Sequence, residues 1–264
     1  MTSFEDCIEE NKKKVNGNRL RIVVVPASKT DTVCDFIASI IPHHYTSSER
    51  IENVLKNLGK PAVAKLLKNK LPAGKISRSA DLGEIFATEY IKDCTDYSVP
   101  INRLRWKDSR DMPMRGDDVI GFRISKKDNR ILFLKVESKS RSRLNKHTIE
   151  KARESLEKDN GLPANHALAF ISERLNELGK EHLSDAIDRA QLKGKISHKQ
   201  VTHMIFIFSE ANSETFLKND LDNYSGKVSQ LSVGLRIDQH QDFIARVFEE
   251  VLNSDGSRES SADD

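Results

Sequence analysis

The chain has 264 residues, 37% hydrophobic and 31% charged, with a formal charge of +3, which describes an ordinary globular protein able to bury a sizeable core in one large or two small domains. Its three cysteines, Cys7, Cys34 and Cys94, lie far apart with no CxxC pair, which argues against a disulfide framework or a zinc site and for a reducing cytoplasm. The N-terminal stretch mixes acidic and basic residues unlike a signal peptide or anchor, and no apolar run is long enough to span a bilayer, so no membrane role is expected.

Residues 19–25, "RLRIVVV", read as a buried strand ended by Pro26, because β-branched residues cluster there. Apolar positions three or four apart predict helices over 31–41, broken at Pro42, and over 48–58 and 61–71. "LPAGKIS" at 71–77 reads as a turn, followed by a helix over 79–93 with Leu82, Ile85, Phe86 and Tyr90 on one face. The period then changes, and strands are expected at 97–106, 118–124 and 130–137, the last two joined as a hairpin through 125–129. Helical spacing returns over 145–158, and 163–191 should hold two helices broken near Gly179. Residues 201–208 and 230–237 look like further strands and 242–252 like a closing helix. The polar, Ser-rich acidic tail 253–264 is expected to be disordered.

This order describes an α/β protein with a mixed sheet flanked by helices, because an antiparallel hairpin sits beside strands reached by helical crossovers. Residues 1–76 form an N-terminal α/β extension suited to docking a partner. Residues 77–252 form the main domain, followed by the tail.

In the strand "LFLKVESKS", Glu137 and Lys139 are two apart and project together, while Val136 and Ser138 point the other way. Pairing of the hairpin brings Asp118 close to Glu137. Two carboxylates and an ammonium then meet at one edge of an apolar sheet, an arrangement that repulsion and burial make costly. A divalent cation removes the conflict. Mg²⁺, which takes one or two carboxylates plus water and phosphate oxygens, suits such a set, with Mn²⁺ as a substitute. The lysine is free to position or deprotonate an attacking water, so phosphodiester hydrolysis fits.

The arrangement resembles the PD-(D/E)xK nuclease superfamily, with its restriction-endonuclease-like fold. "DLGEIF" supplies Glu84, "RGDDVIGF" supplies Asp118, and "LKVESK" supplies Glu137 and Lys139, in the order of that family's motif. Proline does not precede the aspartate, which leaves Asp117 and Asp118 to be told apart; the G-x-D spacing favours Asp118. The resemblance implies a catalytic set of Glu84, Asp118, Glu137 and Lys139, with Asp118, Glu137 and the main-chain carbonyl of Val136 as metal ligands. "SADLGEIFATEYI", "RGDDVIGF" and "LKVESKS" are also similar to the nuclease subunits of the Hachiman anti-phage defence system. That similarity implies metal-dependent DNA cleavage and a superfamily 2 helicase partner.

Plainer readings stand beside these. Glu10-Asn11-Lys12 also fits ExK, but without an apolar strand before it or an Asp-led partner. A surface ion pair at a strand end, worth little, is the plain reading of Glu137 and Lys139. Asp81 to Glu84 fits a capping box that would keep the glutamate structural, and Asp117 and Asp118 suit a turn. Between residues 100 and 151, basic residues outnumber acidic ones by about two to one. Lys135, Arg141, Arg143 and Lys146 are the candidate DNA contacts there. His43-His44 is poorly spaced for a shared metal. Asn69 stands where a P-loop needs its first glycine, so ATP binding by this chain is not expected. A non-catalytic DNA-binding or helicase-scaffolding subunit is the rival reading.

Overall fold

A computed structural model describes residues 3–254. The strand that opens it was not anticipated, whereas the second is the one expected at 19–25. Strand β1 (Glu9–Val15) turns at Asn16-Gly17 into β2 (Asn18–Val24). Both turn residues have positive φ, 47° and 77°, which is what a two-residue hairpin of this hand requires and what Asn-Gly accommodates. The "EENKKKV" of β1 reads as polar because it is an edge strand with only Val15 buried.

Helices α1 (Thr30–Tyr45), α2 (Ser48–Leu58), α3 (Lys60–Lys70) and α4 (Lys75–Cys94) follow. α1 does not break at Pro42 but continues a further turn. Interior proline costs about 3 kcal/mol, but the turn it sits in buries Ile41, His44 and Tyr45, and this packing outweighs the missing hydrogen bond. α4 begins at Lys75, inside the segment expected to be a turn. The strand expected at 97–106 is absent. Ser98 makes an isolated bridge to Phe122, and Arg103–Trp106 forms a 3-10 turn.

Strands β3 (Val119–Ile124) and β4 (Ile131–Ser140) form the expected hairpin. Then come α5 (Lys146–Glu157), α6 (Asn165–Glu177), α7 (Glu181–Asp188), β5 (Val201–Ser209), an unanticipated α8 (Glu214–Asn223), β6 (Ser229–Arg236) and α9 (His240–Ser254). The six strands make one mixed sheet in the order β1-β2-β6-β5-β4-β3. The two outer pairs are antiparallel, and β2, β6, β5 and β4 run parallel. Both strands of the N-terminal segment therefore belong to the same sheet as the motif strand.

Helices cover both faces. Phe86 of α4, Phe243 of α9 and Ile37 of α1 share one core with Val136, Phe208 and Val233. On the opposite face, Leu168 and Ile171 of α6 pack on Phe122 and Phe133, and Leu156 of α5 and Leu217 of α8 pack on Ile205 and Ile207. β5, in the interior of the sheet, is buried at every position, as a parallel strand covered on both faces must be. The expected mixed α/β architecture is thus the observed one. No helix among the described residues is long and apolar enough to cross a membrane. Residues 255–264, most of the tail expected to be disordered, lie outside the described residues.

Candidate active site

β4 outruns its hairpin partner. The pairing with β3 ends at Val119 opposite Val136, whereas Glu137 to Ser140 pair only with β5, opposite Ile205 to Phe208. The main-chain groups on the β3 side of those last residues are therefore open, and polar groups left open at a strand edge need partners. Asp118, just before β3, supplies one: its Oδ2 accepts from the Ser138 N–H at 2.8 Å. That bond holds the Asp118 carboxylate at the open edge, beside Glu137. Glu137 is buried and ion-paired to Lys139, which projects from the same side of β4.

Glu84 reaches the same place from α4. The approach depends on Gly83, where an added Cβ would stand 2.9 Å from Ser138 Oγ and 3.3 Å from Ser140 Cβ. Glu84 and Asp118 line a small cavity of about 20 Å³ with Thr88, Asn102 and Arg103, room for about one water-sized molecule. Below it, Ser79 Oγ of α4 meets Ser140 Oγ at 2.8 Å, and Ser140 Oγ meets His240 Nε2 of α9 at 2.9 Å. These bonds tie α4 to the end of β4.

The electrostatics describe a site that carries more negative charge than it can comfortably hold. Burial pushes the Asp118 carboxyl up to about 7, and the Glu137 charge pushes it the same way, against the Ser138 N–H, Lys139 and Arg103. Burial first, then the charges of Asp118 and Asp81, hold Glu84 well above the usual carboxylate range. Arg103 is the buried cation that sequence reading missed. Its guanidinium donates to the main-chain carbonyls of Asp117 and Arg115, while its Nε has no partner among the described residues. The arginine in "NRLRW" was hidden because the segment resembled a strand.

The two neighbouring aspartates separate cleanly. Asp117 is buried, accepts from the Ala164 N–H at 2.8 Å through Oδ2, and lies 3.4 Å from Lys135 Nζ through Oδ1. Lys135 therefore departs from its expected place on a DNA surface. It is 1% exposed, and its Nζ donates to the carbonyls of Lys158 and Leu162 at 2.9 and 2.8 Å, so it is spent inside the fold. Arg141, Arg143 and Lys146 are exposed past the end of β4. Arg141 donates to the Ser140 carbonyl, and Lys146 pairs with Glu150 at 3.0 Å.

The capping-box alternative for Glu84 does not hold. α4 starts six residues before Asp81, whose carboxylate instead accepts from Lys107 and from the Tyr45 hydroxyl. The second ExK match lies in β1, where Glu10 accepts from Tyr90 at 2.6 Å. His44 is bonded to Glu89.

Among the described residues, no three His, Cys, Asp or Glu side chains converge as a ready cation cage. The donors that do meet, Asp118 and Glu137 on an open strand edge, suit a metal that keeps most of its waters. Val136, expected to add its carbonyl, lies inside the paired part of the hairpin opposite Val119. Because Ser138 turns its N–H toward Asp118, residues two apart turn their main-chain groups to that same edge. The Val136 carbonyl is thereby directed into the β3 ladder.

Residues 1–251 match the model of the HamA family. The chain belongs to the HamA family. It is similar to Hachiman protein HamA of Bacillus cereus, with 26% identity over 245 residues covering 91% of this chain and 87% of that protein. The HamA match therefore extends over both the N-terminal strands and the hairpin that carries Asp118, Glu137 and Lys139. As a HamA-family chain, it keeps its candidate site at the junction of α4 with the hairpin.

Proposed function

We propose that this HamA-family protein is a metal-dependent deoxyribonuclease of the PD-(D/E)xK type, serving anti-phage defence in a Hachiman system beside a helicase subunit. The observation that carries the reading is the Asp118 carboxylate held on the Ser138 N–H at the open end of β4, beside the Glu137–Lys139 pair. A structural ion pair at a strand end has no need of a second carboxylate whose protonation is pushed up to about 7. A cation site does.

In this reading Asp118 and Glu137 hold Mg²⁺ or Mn²⁺, and a main-chain carbonyl of the open edge, at Ser138 rather than Val136, completes the protein's share. The metal, when bound, withdraws charge from the scissile phosphate and the leaving oxygen. Lys139 orients the attacking water, whose oxygen bonds to phosphorus as the P–O bond to the leaving group breaks. Glu84, protonated more readily than an ordinary carboxyl, orients that water or hands on its proton. The defence role is supported by membership of the HamA family and by the similarity to Hachiman protein HamA of Bacillus cereus, whereas the helicase partner is what the likeness of "SADLGEIFATEYI", "RGDDVIGF" and "LKVESKS" to Hachiman nuclease subunits implies.

The test is cleavage of supercoiled plasmid with Mg²⁺, beside EDTA and a Glu137→Ala/Lys139→Ala variant, each with and without a helicase subunit and ATP. Cutting by wild type alone, lost with EDTA, supports the assignment. Equal cutting by the double variant would overturn it. Silence in every arm would leave a binding or scaffolding subunit.

A further inference from the structure

The sheet has a second charged end, opposite the candidate site. The β3–β4 turn, 125–130, carries Lys126, Lys127 and Arg130 against one carboxylate, Asp128. The segment leading into β5, 189–200, carries Arg189, Lys193, Lys195 and Lys199 and no carboxylate at all. The two are brought together by the fold. Val201 pairs with Phe133, and the Gln200 side chain donates to the carbonyl of Ile131, the residue that follows the turn. All seven cations are exposed. Along β4 from Ile131 to Glu137 the rise is roughly 20 Å, so this surface is remote from the carboxylates.

Ordered main chain and closely gathered like charges characterise this surface. The supporting main chain is held in place: Ser125 and Arg130 close the turn at 2.8 Å with Asn129 at positive φ. On the other segment, Gln200 accepts from both the N–H and the hydroxyl of Ser197, His198 bonds to the Asn160 carbonyl, and Gln191 bonds to the Asn165 carbonyl. The charged tips, in contrast, are unmatched. Arg130 approaches Asp128 at 3.5 Å, while Lys126, Lys127, Arg189, Lys193, Lys195 and Lys199 form no ion pair among the described residues. Exposed lysines elsewhere, such as Lys56 and Lys65, also stand outside any ion pair among the described residues, so what singles out this end is that two separate basic segments are fastened side by side. Like charges gathered on ordered loops repel, and a bound polyanion relieves the repulsion.

We infer that this end of the sheet is a docking surface for the phosphate backbone of DNA, separate from the site of chemistry. Protein interfaces are depleted in lysine and need an apolar centre; here five of the seven cations are lysines and Leu192 is the one large apolar side chain exposed in the two segments. Phosphate contacts of this kind supply affinity without reading sequence. The inference deepens the nuclease reading and rests on it for the identity of the polyanion.

The experiment measures binding of the full chain to a labelled 20-base-pair duplex by fluorescence anisotropy in EDTA, across a salt series, so that no cutting intervenes. Two variants are compared with wild type: Lys126→Ser/Lys127→Ser/Arg130→Ser and Lys193→Ser/Lys195→Ser/Lys199→Ser. Each should weaken binding at least tenfold and reduce the slope of log affinity against log salt by up to about 3, with an unchanged melting temperature and an unchanged shift of that temperature on adding Mg²⁺. Affinity within twofold of wild type in both variants overturns the inference. So does polyglutamate that competes as well as DNA at equal charge, which would assign the surface to an acidic protein. Intact DNA binding by wild type with no Mg²⁺-dependent shift or cleavage would count against the nuclease reading and leave this surface standing.

Discussion

Asp117 and Asp118 are consecutive in the chain, yet their carboxylates serve different layers of the molecule. Asp117 Oδ2 accepts from Ala164 N–H at the start of α6 and its Oδ1 faces buried Lys135, whereas Asp118 Oδ2 accepts from Ser138 N–H at the open end of β4. One aspartate holds α6 against the hairpin. The other faces the candidate cation site.

Neutralising the two should therefore have opposite effects. Asp117→Ala leaves the Lys135 ammonium buried without its countercharge and should destabilise by about 3 kcal/mol or more. Asp118→Asn should instead raise the melting temperature at pH 8 and abolish any Mg²⁺-induced shift. Urea melts of both variants with and without Mg²⁺ check this; a stabilised Asp117 variant would contradict the assignment. In a double-mutant cycle, Lys135→Met should recover part of the Asp117→Ala loss.

The pH dependence of stability separates two opposing groups. Burial lowers His203 and His240 to about 4, so between pH 6.5 and 4 the unfolded chain binds more protons than the folded one. Their contribution is complete above 6.5 and is lost as pH falls through about 4, on the order of 3 kcal/mol for each. Asp118 has the reverse sign: raised to about 7, it binds its proton more tightly when folded, so its contribution is present below about 3.8 and is lost as pH rises through 7. Asp118→Asn should exceed wild type in stability at pH 8, converge with it near pH 4, and show the steeper loss between. Parallel pH profiles for the two proteins would disprove this.

Gly83 permits the close contact of α4 with β4. Gly83→Ala gains up to about 1 kcal/mol of helix propensity, but its Cβ meets Ser138 Oγ at 2.9 Å, and overpacking of this kind costs about 1–3 kcal/mol. A net loss of stability is expected, with a larger loss of DNA cleavage in the plasmid assay because Glu84 moves with the helix. Ser138→Ala removes the obstructing atom, which is itself buried without a partner among the described residues. Calorimetry should find Ser138→Ala close to neutral alone and restorative in the Gly83→Ala background.

Arg103 should act on the carboxylates through charge. Arg103→Met removes a buried cation that opposes the rise of both Glu84 and Asp118. Two main-chain carbonyls also lose their donor, and each unsatisfied group costs about 1–3 kcal/mol. The Mg²⁺-induced shift should then appear only at higher pH than in wild type. Arg103→Lys, which keeps the charge and loses the fork, should restore the pH dependence more fully than the stability.

The strands of the motif were legible because their residues settle the matter locally. β-branched and aromatic runs marked β3, β4, β5 and β6, and Glu137 with Lys139 on one side of β4 follows from the two-residue period of a strand. Edge strand β1 was not legible, since its Lys and Glu are what an exposed edge requires and carry no apolar alternation; only Asn16-Gly17 hinted at it. The helix at 30–45 and the 3-10 turn at 103–106 were misread because local rules at Pro42 and along "INRLRW" yielded to burial of Tyr45 and to the carbonyls that hold Arg103 and Arg105.

The sequence by itself determined the mixed α/β class and the nearness of Asp118 to Glu137, which depend on periodicity and on a short hairpin, and its resemblance to the PD-(D/E)xK superfamily supplied the order of the motif residues and the preference for Asp118. Tertiary structure alone decided what Asp117 holds instead, that Lys135 is buried and Arg103 stands beside the carboxylates, and how closely α4 approaches β4 at Gly83. Those outcomes depend on groups 14 to 55 positions apart, such as Arg103 with Asp117, Asp117 with Ala164 and Gly83 with Ser138. Desolvation and long-range contact set them, and neither leaves a local pattern in the chain.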